Sequence, residues 1–142
     1  MAIAQAVCNS FKQQILEGVH QFQSGGNVFK LSLYTSAANL SASTTIYTST
    51  NEVANTGQYT AGGGILTGQQ TSLDTGVAIV DFADLSFTGV TLTAAGALIY
   101  NTSAANKAVC VLDFGGDKSA TAGTFTIIFP AFTSSQAILR IS

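Results

Sequence analysis

The spacing of apolar residues divides the chain into a helical N-terminal part and a longer β-rich part. Within residues 3–23, apolar side chains recur every three or four positions, which is the period of an amphipathic helix. A glycine pair at 25–26 follows as a C-terminal stop would. The pattern therefore predicts one helix within residues 3–23, or a shorter one if Asn9 or Ser10 is the N-cap. Both packing on the chain's own sheet and docking on a neighbouring subunit as an arm stay open.

After the glycine pair, the apolar period changes from about 3.6 to two. Phe29–Tyr34 alternates apolar and polar side chains, which predicts a half-buried strand. Asp74-Thr75-Gly76 is a compact turn that predicts a hairpin, whereas Asn101–Lys107 and Gly115–Gly123 predict other turns or loops. Further short apolar runs predict strands at Gly64–Leu73, Val77–Phe82, Thr91–Tyr100, Ala108–Phe114, Thr124–Phe129 and Ala137–Ile141.

Short strands at this spacing predict a mainly β fold, an antiparallel β-sandwich or jelly-roll-like domain with one N-terminal amphipathic helix. The 142 residues fit a single domain, 1–142, in which residues 27–142 form the β-sandwich. A long irregular excursion over residues 36–64 interrupts it and includes a candidate edge strand at Thr44–Thr50. This excursion is either a surface segment of the same domain or an arm that becomes ordered on a neighbour.

The charge content narrows the classes of function. Charged residues make up 8% of the chain, against about 25% in ordinary soluble domains. The 46% hydrophobic content excludes a disordered chain. Five scattered basic residues argue against nucleic-acid binding. We expect no membrane span and no export signal, since no long apolar run and no basic n-region occur. Two cysteines in such a chain are expected to be buried thiols, Cys8 and Cys110.

The residues capable of chemistry lack the partners that known mechanisms need. His20 is the only histidine, and its position on the predicted helix favours a packed or exposed structural role. Two carboxylate pairs, Asp81 with Asp84 and Asp113 with Asp117, suit turn capping better than acid–base catalysis or calcium binding. We predict no catalytic residues, no cofactor-binding residues, no metal ligands and no cofactor.

Several stretches along nearly the whole chain are similar to small virion structural proteins of tailed bacteriophages. They are Phe11–Phe22, Phe29–Thr35, Glu52–Val53 with Gly57–Gly63, Val80–Asp84, Ala97–Asn101, Asn106–Gly115 and Ala137–Ser142. The likeness is one of overall pattern, and it includes no motif that identifies a catalytic or binding function.

The resemblance implies a non-enzymatic virion structural protein, assembled in the host cytoplasm. Within the particle we expect a capsid decoration or cement protein, which binds the outside of the phage head and stabilises the shell. Its partners would be the major capsid protein and copies of itself in a homo-oligomer, with no nucleic acid and no membrane. The alternative is a tail, baseplate or fibre protein with tail proteins as partners, including a receptor-binding module. A carbohydrate-binding module is a third hypothesis.

Overall fold

The computed structural model describes residues 2–142, so the first residue of the predicted domain 1–142 lies outside the described part. This part of the chain forms two antiparallel sheets and one short α-helix. The two sheets make an open, sandwich-like arrangement, which confirms the predicted fold class. One sheet has the order β1-β7-β6-β2-β3, and the other has the order β4-β5-β8. In chain order the elements are β1 Ala6–Val7, α1 Asn9–Leu16, β2 Phe29–Tyr34, β3 Gly64–Ile65, β4 Gln70–Asp74, β5 Val77–Asp81, β6 Leu85–Asn101, a 3₁₀ turn Thr102–Ala104, β7 Lys107–Ile127 and β8 Leu139–Ile141.

Aromatic side chains hold the two sheets and the N-terminal segment on one shared core. Phe29 of β2 stacks on Phe22 with ring centroids 4.4 Å apart. Phe82, which directly follows β5, meets Phe29 edge-on at 5.9 Å and Phe22 at 6.2 Å. All three rings are buried. Offset and edge-on pairs of this kind add to the stability that apolar burial supplies, and here they join the smaller sheet to the larger one.

The helix is shorter than predicted. It spans Asn9–Leu16, with Cys8 as its N-cap, and part of the predicted helical stretch forms strand β1 instead. The helix ends because Gly18 adopts a left-handed φ of +73°. Gly18 N donates to Ile15 O at 3.3 Å and Val19 N donates to Gln14 O at 3.0 Å, which is a Schellman motif. The apolar spacing continues to Phe22 because the chain beyond Gly18 also faces the core, without being helical.

The segment Gly115–Gly123 is part of a strand, so its prediction as a loop was wrong. The predicted strands on either side belong to one strand, β7, which pairs with β6 along a long hairpin closed by the predicted turn after Asn101. The register passes from Gly96↔Asp113 to Ala94↔Lys118, so β7 has extra residues at that point. This bulge accounts for the loop-like composition, because bulges accept glycines with positive φ, and Gly115 and Gly116 have φ of +77° and +142°.

Two other predicted strands differ from the structure. Gly64–Leu73 contains two strands in different sheets: β3 pairs with β2, and β4 pairs with β5 through the predicted hairpin at Asp74-Thr75-Gly76. Thr44–Thr50 does not form the predicted edge strand. It makes a single antiparallel bridge, Ile46↔Lys107, beside the start of β7.

Strand β2 is buried on both faces, although its alternating sequence predicts one polar face. Ser32 and Tyr34, on the face expected to meet water, have no exposed surface. The excursion of residues 36–64 covers that face, where the Tyr34 hydroxyl donates to Thr48 O at 2.6 Å. It also pairs with the edge of β2, since Val53 N donates to Leu33 O at 2.9 Å. The excursion is therefore packed on the chain's own domain.

Candidate functional site

An apolar groove of about 690 Å³ lies between α1 with its following segment and the sheet β4-β5-β8. Its walls come from Val7, Phe11, Lys12, Ile15, Leu16, Gly18, His20, Gln21, Phe22, Gln23, Thr71, Ala78, Ile79, Val80, Leu139, Arg140 and Ile141. Two apolar side chains at its margins are largely exposed, Leu16 by 88% and Ile141 by 59%. Exposed apolar surface of this kind is typical of protein–protein contact sites.

The local structure on each side of the groove explains why its apolar side chains are exposed. The last helical residue is Leu16, and the chain turns away at Gly18, two residues later. The Leu16 side chain is left exposed. On the opposite side, β8 is an edge strand, and its last residue Ile141 has only β5 as a neighbour. Lys12 and Arg140 are the only charged residues that line the groove.

His20 lines the base of the groove and is held in one neutral form. Asn101 Nδ2 can only donate, so its contact of 3.0 Å makes His20 Nδ1 an acceptor. His20 Nε2 therefore carries the proton and donates to Gln14 Oε1 at 2.8 Å. The ring also packs on Phe11, with centroids 4.8 Å apart. Burial, together with the charge of Lys107, lowers the pKa of His20 from 6.5 to about 4.

Acidification is expected to destabilise the fold through His20. Because its pKa is 6.5 unfolded and about 4 folded, the unfolded chain binds more protons between these values. The stability that comes from keeping His20 neutral is fully present above pH 6.5, and it is lost as the pH falls through 6.5 towards 4. A shift of this size corresponds to about 3 kcal/mol of unfolding free energy.

Urea unfolding at a series of pH values measures this contribution. The variant His20→Gln cannot titrate, whereas the carboxylates of the chain still do, so the variant should show a shallower loss of stability with acid. Equal slopes for the two proteins would contradict the assignment.

A second polar cluster surrounds Glu52 and includes all four tyrosines of the chain. Glu52 Oε1 accepts from the Tyr47 hydroxyl at 2.5 Å, and Glu52 Oε2 accepts from the Tyr59 hydroxyl at 2.7 Å. Gly62 N also donates to Oε2, at 2.6 Å, and the Tyr100 hydroxyl donates to Gly62 O. One carboxylate thus joins three separate points of the excursion.

The same cluster connects the excursion to β2. The Tyr59 hydroxyl accepts from Leu33 N at 2.8 Å, and the Tyr34 hydroxyl donates to Thr48 O at 2.6 Å. Burial, with a further contribution from Glu52, raises the pKa of Tyr100 to about 12 and raises the pKa of Tyr47 and of Tyr59 as well. These hydroxyls therefore stay protonated and act as donors at neutral pH.

Close backbone contact confirms that the excursion is seated on the sheet. Gly63 has a φ of +86°, and a Cβ added there would lie 1.8 Å from Leu31 O. Only glycine permits this approach between the end of the excursion and β2. The glycine run at 62–64 therefore serves chain packing.

The four aspartates singled out in the sequence lie at separate places. Asp84 Oδ1 accepts from Phe129 N and Asp113 Oδ1 accepts from Gly115 N, both at 2.9 Å. The Asp113 bond, to a residue two positions ahead, is of the turn-capping kind expected. The Asp84 bond is a long-range contact that joins the residue before β6 to the segment after β7. Within residues 2–142, no group of three or more His, Cys, Asp or Glu side chains is placed to hold a metal ion.

Both cysteines are free and buried, as expected from the sequence. Burial raises the pKa of the Cys8 thiol to about 11, and burial likewise raises the pKa of Cys110, with a smaller contribution from Cys8. Thiols in this state are poor nucleophiles, because the reactive species is the thiolate.

Comparisons with known proteins found no matching family model and no significant match among curated proteins or solved structures. The resemblance to small virion structural proteins therefore stays a prediction. In the described part of the chain, no helix is both long and apolar enough to cross a membrane.

Sequence reasoning missed the role of Glu52 and the existence of the groove. A signal for the first was present: two of the four tyrosines, Tyr47 and Tyr59, lie in the excursion together with its only carboxylate. The groove had no comparable signal, because its two sides come from residues 7–23 and from β5 and β8, which only the fold brings together.

Proposed function

We propose that this chain is a non-enzymatic structural protein of a phage particle, a capsid decoration protein that binds the outside of the head and stabilises the shell. The observation that carries the proposal is the apolar groove between α1 and the sheet β4-β5-β8. It exposes Leu16 and Ile141 on a chain with a formal net charge of only −2. Such a surface suits contact with another protein chain.

The polar side chains that could take part in catalysis are occupied by hydrogen bonds within the domain, which supports a non-enzymatic role. His20 and Glu52 are engaged in hydrogen bonds that position backbone and side chains of their own domain. The groove therefore presents a concave apolar surface to a partner, and few of its side chains are free to react. Contacts of this kind, repeated over the copies on a shell, give strong attachment even when each contact is weak.

The partners in this proposal are the major capsid protein and other copies of the chain, and the location is the virion, assembled in the host cytoplasm. The groove would receive an apolar segment of the shell subunit. Decoration would then depend on the side chains at its margins, which contribute little to the fold of the free protein because they are exposed.

Attachment of the purified chain to heads that lack it tests the proposal. We expect the unmodified chain to bind such heads and to raise their resistance to heat, whereas Leu16→Asp combined with Ile141→Asp weakens binding at least tenfold. Leu73→Asp is the matched control, because Leu73 is 72% exposed on β4 and does not line the groove. Equal binding by the double variant and the control would contradict the groove's role, and absence of binding by the unmodified chain would contradict head attachment.

A further inference from the structure

The charged side chains that line the groove between α1 and the sheet β4-β5-β8 are all positive. Two of the five basic residues of the chain, Lys12 and Arg140, line the groove, and none of its seven acidic residues does. The whole chain nevertheless has a formal net charge of −2. The positive character of the groove is therefore local, and it runs against the overall charge.

Each wall of the groove combines one basic residue with one exposed apolar side chain. Lys12 and Leu16 are four residues apart on α1, so they lie on the same side of the helix. Across the groove, Arg140 directly precedes Ile141 on β8. A partner seated between the two walls therefore meets an apolar side chain and a basic residue on each side.

Both basic side chains are exposed and keep donors for an incoming anion. Lys12 Nζ has one contact, with Asn9 Oδ1 at 3.4 Å. Arg140 Nη1 donates to Ser135 O at 2.8 Å and to Ser134 O at 3.4 Å. All of these acceptors within residues 2–142 are uncharged. A guanidinium has five donors, and its bonds to carboxylates are stronger than those to neutral acceptors.

The interior of the groove offers little to the main chain of a partner. Both ring nitrogens of His20 are already bonded, to Gln14 and to Asn101. Strand β8 has an open edge of only three residues. An extended segment would therefore leave most of its backbone N–H and C=O groups unpaired in apolar surroundings, which is costly. A helix pairs these groups internally, and an amphipathic helix lays its apolar face into a groove of this kind.

We infer that the groove receives an amphipathic helix whose apolar stripe is flanked on both sides by acidic side chains. The stripe packs between Leu16 and Ile141, and the flanking carboxylates meet Lys12 and Arg140. The inference rests on the proposed function in that the helix belongs to the shell subunit, and it adds the chemistry of that segment. Charges at the rim of an interface act on specificity, so a basic helix of the same shape binds less well.

Two synthetic peptides that differ only in their flanking charges test the inference on the purified chain. Each has leucine at every third or fourth position over about 20 residues, since shorter isolated helices are marginal in water, and carries glutamate or lysine beside the leucine stripe. Titration calorimetry at low salt should find about tenfold tighter binding of the glutamate peptide, and added salt should reduce the difference. The net charge of −2 favours the lysine peptide, so the expected preference has to come from the groove.

Lys12→Glu combined with Arg140→Glu should reverse the preference, because both cations then become anions. Lys118→Glu is the control for each single substitution, since Lys118 is exposed outside the groove and its replacement changes the net charge equally. It should leave the preference for the glutamate peptide in place.

Three results would overturn the inference: equal or tighter binding of the lysine peptide, no binding of either peptide, or an unchanged preference in the double variant. Attachment of the unmodified chain to isolated heads is measured separately. Any of the three results together with attachment would overturn the acidic helix and leave the proposed function standing. The expected preference without attachment would contradict the proposed function instead.

Discussion

Deletion of residues 2–24 is expected to abolish cooperative folding of the remaining chain. The deletion removes Phe11 and Phe22 from the aromatic core and exposes the edge of β7 that β1 covers. Loss of each buried phenylalanine costs about 3–5 kcal/mol, and the total stability of a typical domain is about 5–15 kcal/mol. Thermal unfolding followed by circular dichroism should therefore show no sharp transition in the truncated chain.

Leu16→Ala provides the control in the same segment. Its side chain is 88% exposed, so the variant should unfold within about 0.5 kcal/mol of the unmodified protein. A truncated chain that still unfolds cooperatively near the parent midpoint would show that residues 2–24 are an accessory arm, contrary to their packing here.

Glu52→Ala is expected to lower the free energy of unfolding by about 3 kcal/mol, because three donors lose an ionised acceptor. Those donors are the Tyr47 and Tyr59 hydroxyls and Gly62 N. Glu52→Gln keeps one acceptor oxygen and should show an intermediate loss. Urea unfolding measures the loss, and limited proteolysis should find new cleavage within residues 36–64.

Glu17→Ala is the matched control for removal of a carboxylate. Glu17 is exposed and its side-chain contact is with Gln13, at 3.2 Å, so its removal should change stability by less than about 0.5 kcal/mol. If Glu52→Ala were as stable as this control and equally resistant to protease, the hydrogen bonds of Glu52 would not be what holds residues 36–64 on the sheet.

Local patterns predicted much of the strand content, because burial and turn chemistry act over a few residues. The Asp74-Thr75-Gly76 hairpin and strand β2 are examples. Long-range pairing was beyond such reasoning: Gly115–Gly123 has loop composition, but β6 supplies hydrogen-bond partners on both sides of the bulge. The helix end was misplaced for a related reason, since residues after Gly18 keep apolar spacing for packing alone.

The candidate contact surfaces were harder to predict than the strands. The sequence suggested a low-charge surface suited to protein contacts, but it could not place the groove, which joins distant segments. The packing of the excursion depends on Glu52 accepting from Tyr47 and Tyr59 within it, and on Tyr34 of β2 and Tyr100 of β6 donating to its backbone carbonyls. These contacts have no fixed sequence spacing. The structural role of His20 could be anticipated, although its partner Asn101 could not.

The position of the chain in a density map of the phage particle tests the proposed function most directly. The proposal predicts hundreds of copies over the outer surface of the head, with the groove between α1 and the sheet β4-β5-β8 facing the shell. A few dozen copies or fewer at the tail, with the head surface bare of this chain, would contradict it.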